Sequence, residues 1–465
     1  MIPTRDARVG EREQLSFLEP NLALRAHSLA IETAHRLVDP KQTEETVRQP
    51  GNVDPIYGAS MWSGGSLSHG LAGTAMLYAT LEKIDSSFQS VTHNHLSGAV
   101  QQLSWNPRAG LMGGVAGVLA ATQEASDGGQ RYGNVRGKLA KWLANAQSKL
   151  VAEYASSLRD GVHWNAYDLM NGLSGSLRVL LDEPSAEAET VTKETASYLC
   201  SRILARSTSG HPGWWVPADL QPTADDAESY PYGDLNLGLA HGMPGVVSAL
   251  VSVGETQALT PEIEDALTFA SRWALRWIQT EGNTRYWPAR VPAEFDNDPA
   301  AAPSFFTRAA WCYGTPGVAI SMMRAGRLLG DTELTERATE ALLSHLDLPE
   351  AEWRLDGPTV CHGYAGVVQV LYRCWRITPD ARLRTLANRL AETLTTTMAD
   401  LEAPFVFQHW VPDSPDGWRS ATKHRHLNCA GLLEGAAGVA CVLLAVSDSA
   451  EPDLTADWDR ILGLS

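Results

Sequence analysis

Two cysteines stand in matching surroundings, Cys312 in Arg308-Ala-Ala-Trp-Cys312-Tyr313-Gly314-Thr-Pro-Gly317 and Cys361 in Thr359-Val-Cys361-His362-Gly363-Tyr-Ala-Gly366. Each lies two residues ahead of a Gly-x-x-Gly step, and His362 follows the second. Two thiolates and an imidazole form a zinc-type ligand set, and three protein ligands leave a fourth position open, as in a catalytic rather than a structural site. An isolated Cys-His pair is more often a buried apolar group than a metal site, so the shared offset carries the argument. Asp168, in Tyr167-Asp168-Leu-Met-Asn-Gly172, and His241, in Ala240-His241-Gly242-Met-Pro-Gly245, approach two further steps of the same kind. A carboxylate beside an imidazole fixes its tautomer and raises its basicity, giving an acid or base suited to neutral pH. Arg308 is a candidate for stabilising a developing oxyanion, against the plainer reading of a surface ion pair.

The elements that position these residues are repeats. The Gly-x-x-Gly step followed by an apolar run begins at Gly70, Gly114, Gly172, Gly242, Gly314, Gly363 and Gly435, seven times in all. Each run is apolar nearly all round, as in a helix buried on every side. Between them lie segments with apolar residues at three- and four-residue spacing, beginning near Leu22, Ile84, Gly137, Pro184, Thr260, Asp331 and Pro379. That pattern predicts half-exposed outer helices. Helical hairpins repeated in this way stack, and a chain of this length closes into a ring. The expected fold is therefore all-α, a seven-fold α/α toroid of seven inner and seven outer helices spanning residues 1–465 as a single domain. Residues before the first glycine of each step then line one opening. That position holds His69, Gly113, Asn171, His241, Tyr313, His362 and Glu434; His69 is read as structural. Cys200, Cys374 and Cys441 fall in helical patterns and belong to the core, and Cys429 receives no role.

Three excursions break the rhythm, at 207–234, 282–307 and 403–426. Trp214-Trp215-Val-Pro, Tyr286-Trp287-Pro-Ala-Arg290 and Phe405-Val-Phe-Gln-His-Trp410 have the aromatic and β-branched content of short strands. Long insertions in a compact domain usually serve function, so these are expected to border the active-site mouth.

Composition narrows the function classes. A net charge of −17 over 465 residues is unsuited to a nucleic-acid partner, which needs a basic surface. No apolar run reaches the roughly 18 residues of a membrane span. The stretch from Met1 to Arg8 leads into charged residues without a signal-like apolar segment, so a cytoplasmic location is expected. Six cysteines dispersed over such a chain suggest metal binding or catalysis rather than a disulfide framework.

Taken together, Trp311-Cys312-Tyr313-Gly314-Thr-Pro-Gly317, Cys361-His362-Gly363, Ala240-His241-Gly242-Met-Pro-Gly245 and Tyr167-Asp168 make the chain resemble the LanC-type lanthipeptide cyclases over nearly its whole length. The resemblance implies a seven-fold α/α toroid with one zinc ion per chain, ligated by Cys312, Cys361 and His362. It implies His241, Asp168, Arg308 and Tyr313 as the surrounding catalytic residues, and none of these positions departs from the family pattern. The implied reaction is Michael addition of a precursor-peptide cysteine to dehydroalanine or dehydrobutyrine, giving lanthionine or methyllanthionine rings. The implied partners are a dehydrated precursor peptide with its leader, a separate dehydratase and an exporter. The setting would be the cytoplasm, alone or within a membrane-associated biosynthetic complex. Two alternatives stay open, an enzyme adding glutathione or another thiol to dehydrated residues and a zinc-binding scaffold subunit without catalysis.

Overall fold

Every Gly-x-x-Gly step turns the chain tightly into a buried helix. The second glycine packs its bare Cα on the turn that precedes it: a Cβ on Gly317 would lie 2.2 Å from the Trp311 carbonyl oxygen, and one on Gly438 1.8 Å from that of Leu432. No larger residue fits such an approach. The structure, a computed structural model, describes residues 17–56, 58–103, 107–304, 307–412, 424–447 and 455–465. The amino-terminal stretch and parts of two insertions, 305–306 and 413–423, lie outside the described residues.

The chain forms two compact units. In the first, residues 1–104, 124–127 and 354–459, the inner helices are Leu71–Glu82, Tyr364–Ile377 and Ala436–Ser447, and the outer ones Pro20–Arg36, Gln89–Gln101 and Ala381–Thr396. All residues from Leu71 to Leu81 are buried, and helix Ala436–Ser447 is buried from Ala436 to Val446. Full burial of one aliphatic side chain stabilises by about 1.5–3 kcal/mol, so these buried, largely apolar helices form the core. Helix Pro20–Arg36 packs on Ala436–Ser447 and on Ala381–Thr396, so the beginning and the end of the sequence share one hairpin.

In the second unit, residues 105–123, 128–353 and 460–465, the inner helices are Val115–Glu124, Leu173–Leu180, Met243–Thr256 and Thr315–Leu329, the first running one residue past the unit's boundary. The outer helices are Gly133–Ser156, Ala186–Leu204, Pro261–Arg276 and Thr332–Leu346. Among the described residues there are thus seven inner and seven outer helices, matching the repeat pattern. Outer helices start at caps visible in the sequence. Thr260 accepts from the Ile263 amide at 3.3 Å with Pro261 in the first turn, and Asp331 accepts from the Leu334 amide at 2.9 Å. Such a cap contributes about 1 kcal/mol.

Backbone hydrogen bonds join the entry turns in repeat order. In the second unit the Met112 amide donates to Met170, Leu169 to Ala240 and Ala240 to Cys312, at 3.0, 3.1 and 3.2 Å. In the first unit Cys361 donates to Leu433 at 3.0 Å and Leu432 to Leu67 at 3.0 Å, so the last turn bonds to the first.

The excursions contain short antiparallel pairs, Asp234–Asn236 with Arg290–Pro292, Gln279–Glu281 with Thr284–Tyr286, and His409–Pro412 with His424–Leu427. The strands are shorter than the aromatic runs suggest. In Trp214-Trp215-Val-Pro the bridge is made by Val216, to Asp234, while the Trp215 carbonyl accepts from the Val162 amide at 2.9 Å; Val406 takes a positive φ of 70° ahead of the third pair, which begins at His409. Among the described residues, no helix is long and apolar enough to cross a membrane.

Candidate functional site

Asp168 follows a short 3-10 turn, Trp164–Ala166, and its amide donates to the Trp164 carbonyl at 2.8 Å. Its buried carboxylate accepts from the Asn171 amide at 3.0 Å and meets His241 Nδ1 at 2.6 Å. An ionised carboxylate only accepts, so the hydrogen sits on Nδ1 and Nε2 is left for chemistry. His241 itself comes from the next entry turn, with 23% of its side chain exposed, enough to meet a substrate. Trp164 stacks on the imidazole with ring centroids 4.9 Å apart and planes 28° apart. The Tyr313 ring lies 6.1 Å away, and its hydroxyl accepts from Asn236 Nδ2 at 3.1 Å. Burial pushes the Tyr313 phenol above its ordinary range, with the Asn236 hydrogen bond and Arg290 acting the other way, so it stays protonated and can donate.

Cys312 is buried on the turn next to His241, and its carbonyl holds the Ala240 amide. Arg308 lies just upstream on the same loop. The loop closes over Gly314, whose φ is +122° and where a Cβ would stand 1.7 Å from the Arg308 carbonyl oxygen. Ala309 and Gly314 form a bridge there, and the Ala309 amide donates to Trp353 at 3.0 Å.

In the first unit Cys361 and His362 share one entry turn, and a ligand atom of each lies within 4.8 Å of the other. The His362 carbonyl accepts from the Asp356 amide at 2.9 Å, and its Nε2 is 4.0 Å from an Asp356 carboxylate oxygen. Asp356 also faces His424 Nε2 at 3.5 Å.

Around His362 the structure gathers residues that the repeat pattern left without a role. His409 packs edge-on against it at 5.5 Å, and His362, His409 and Glu434 each offer a ligand atom within 4.8 Å of the other two. Glu434 is hydrogen-bonded to His69 Nε2, and His69 Nδ1 to Ser68 Oγ at 2.9 Å. Burial would raise the Glu434 carboxyl, but the hydrogen bond from His69 and the neighbouring imidazoles outweigh it and hold it well below the usual range. Burial likewise opposes charge on His69, and Glu434 overcomes it, so the two make an ion pair. Burial pushes His409 down to about 4, against the pull of Glu434. His69 and Glu434 stood at one register position, and the bond from the last turn to the first brings those repeats together. His409 lies in an insertion and Trp164 outside the repeat pattern, so neither carried a signal.

The structure therefore brings Asp168, His241 and Tyr313 together on neighbouring turns of one unit, and Cys361 with His362 on one turn of the other. Cys200, Cys374 and Cys441 are buried, as their positions predict, and so is Cys429, with all four thiols pushed up by burial.

The same architecture is found in a solved nisin cyclase, with a TM-score of 0.74 over 93% of this chain and 97% of that one at 20% identity; the fold is thus a helical toroid. The nisin biosynthesis protein NisC of Lactococcus lactis subsp. lactis is 23% identical over 311 residues, 66% of this chain and 72% of that protein. The family model described as lanthionine synthetase C-like protein matches residues 61–462. That match spans all seven glycine steps, and the chain belongs to the lanthionine synthetase C-like family.

Proposed function

We propose that the protein is a zinc-dependent cyclase that joins cysteine thiols of a precursor peptide to dehydroalanine or dehydrobutyrine, forming lanthionine and methyllanthionine rings. The observation that carries the reading is the buried Asp168 carboxylate on His241 Nδ1 at 2.6 Å, in a chain of the lanthionine synthetase C-like family. A scaffold would have no use for an acid–base pair held so closely. Nisin biosynthesis is the named role of one relative, which makes a dehydrated precursor peptide the substrate class proposed here. Dehydration would come from a separate enzyme, with an exporter acting afterwards.

Cys312, Cys361 and His362 are the proposed ligands of one zinc ion per chain. The donor set fits: two thiols and one imidazole match the soft, borderline character of zinc. When bound, zinc supplies Lewis acidity that turns a thiol of ordinary pKa, about 8.5, into a thiolate at neutral pH. The remaining steps belong to the protein's own groups. Sulfur adds to the alkene β-carbon and charge moves to the enolate oxygen, which Arg308 is proposed to hold. His241 Nε2 delivers a proton to Cα while Asp168 balances the imidazolium, and the Tyr313 hydroxyl assists by hydrogen bonding. The insertions 207–234, 282–307 and 403–426 are proposed to border the peptide's path.

Zinc-loaded protein incubated with a dehydrated precursor peptide should consume one free thiol per ring formed, counted by alkylation and mass spectrometry. Full retention of thiols overturns the cyclase reading. Thiol addition from glutathione without ring closure would replace it with adduct formation.

A further inference from the structure

The Arg290 guanidinium lies outside every residue assigned above, yet is built into the surroundings of His241. Its Nε donates to buried Asp234 at 2.7 Å, and its two other nitrogens bond to Asp226 and Gln221. Its planar head is set over two rings, with centroid distances of 4.0 Å to Tyr230 and 5.2 Å to Trp164. Trp164 is in turn the ring stacked on His241. Arg290 also opens the strand whose register pairs it with Asn236, the residue that donates to the Tyr313 hydroxyl. Two insertions thus meet at this one side chain, Asp226, Tyr230 and Asp234 from the first and Arg290 from the second.

Asp168 can fix the rotation of the His241 ring in its own plane, but a single hydrogen bond leaves the tilt of that plane free. The face of an indole sets the tilt. The Trp164 Nε1 is buried without a hydrogen-bond partner, so nothing polar anchors the indole itself. We propose that Arg290 is a positioning residue that clamps Trp164 and thereby fixes the plane of the His241 imidazole. The inference rests on the cyclase reading for its consequence, though the clamp itself does not. Two carboxylates already offset the charge of Arg290, so it acts by shape. Lys, a compact point charge without a planar fork, would not replace it.

The consequence concerns one face of an alkene. As sulfur bonds to the β-carbon, the π electrons move to the carbonyl oxygen, and Cα then takes one proton from His241 Nε2. The thiol proton leaves to solvent, which later reprotonates the imidazole. The face that receives the proton sets the configuration at Cα, so a tilted imidazole makes more of the other diastereomer.

Two measurements test this. In zinc-loaded protein with labelled histidines, the His241 Cε1–H resonance, assigned by its loss in His241→Asn, should shift in Arg290→Lys and in Trp164→Leu, and stay near its wild-type position in Trp164→Phe. An unchanged resonance in Arg290→Lys overturns the clamp whether or not the protein is a cyclase. With a peptide carrying one dehydroalanine and one cysteine, Arg290→Lys and Trp164→Leu should lower kcat on the order of tenfold to a hundredfold, with KM and zinc content little changed. The Cα diastereomer ratio should fall, and Trp164→Phe should restore it. A merely structural role would reduce the active fraction and leave that ratio at the wild-type value, which overturns the proposal. Absence of thioether from the wild type, with the resonance shifts present, overturns the cyclase reading and leaves the clamp standing.

Discussion

With His241 Nδ1 occupied by Asp168, its Nε2 is the atom left to meet a substrate, so removing the imidazole and removing a metal ligand should give different defects. His241→Asn should keep one zinc per chain and slow cyclisation by about 10²–10⁴-fold. Cys361→Ala should lose stoichiometric zinc, read by elemental analysis. A Cys361→Ala protein that retains one tightly bound zinc would refute the ligand assignment. At this scale the sequence was informative wherever a residue kept a fixed offset from a glycine step, as Cys312, Cys361 and His241 do. It was silent on Trp164, whose stacking depends on a turn with no repeat, and on His409, which an insertion carries to His362.

The entry turns and outer helices make opposite demands on glycine. Gly314 has a φ of +122° with the Arg308 carbonyl against it, whereas an added Cβ on Gly137, exposed within helix Gly133–Ser156, meets nothing within 4 Å. Gly137→Ala should therefore stabilise by about 0.5–1 kcal/mol through lost freedom of the unfolded chain. Gly314→Ala should destabilise by about 2 kcal/mol or more, through strain and displacement of the Arg308 loop. Denaturant midpoints of the pair check both signs, and a harmless Gly314→Ala would refute the tight turn. Helices were legible because periodicity and caps are local, as at Thr260 and Asp331. The short strands were harder: Asp234–Asn236 pairs with Arg290–Pro292 across more than fifty residues, and no local pattern reports such a partner.

Across the whole molecule, stability should depend on pH through imidazoles that the fold keeps neutral. His95 is wholly buried between Thr74 and the Val38 carbonyl, and His345 is buried as well; burial pushes both down to about 4 from 6.5. Between those values the unfolded chain binds protons that the folded one does not. The stability they confer is complete above pH 6.5 and is lost as pH falls toward 4. His345→Leu should flatten the decline between pH 7 and pH 5 by about 2 kcal/mol relative to wild type, in urea titrations at each pH. An identical slope in the variant would show that His345 is not held neutral.

The shared hairpin of Pro20–Arg36 with Ala436–Ser447 has a consequence for synthesis. Roughly 400 residues separate the two, which at ribosomal rates is on the order of 20–80 s. Throughout that interval the face bearing Leu22, Ala26 and Ala30, buried in the finished protein, lacks its partner helix Ala436–Ser447. The emerging chain thus carries an incompletely covered apolar helix until Ala436–Ser447 has been made, which makes it a client for chaperones and places the closing of this pair late among its folding events.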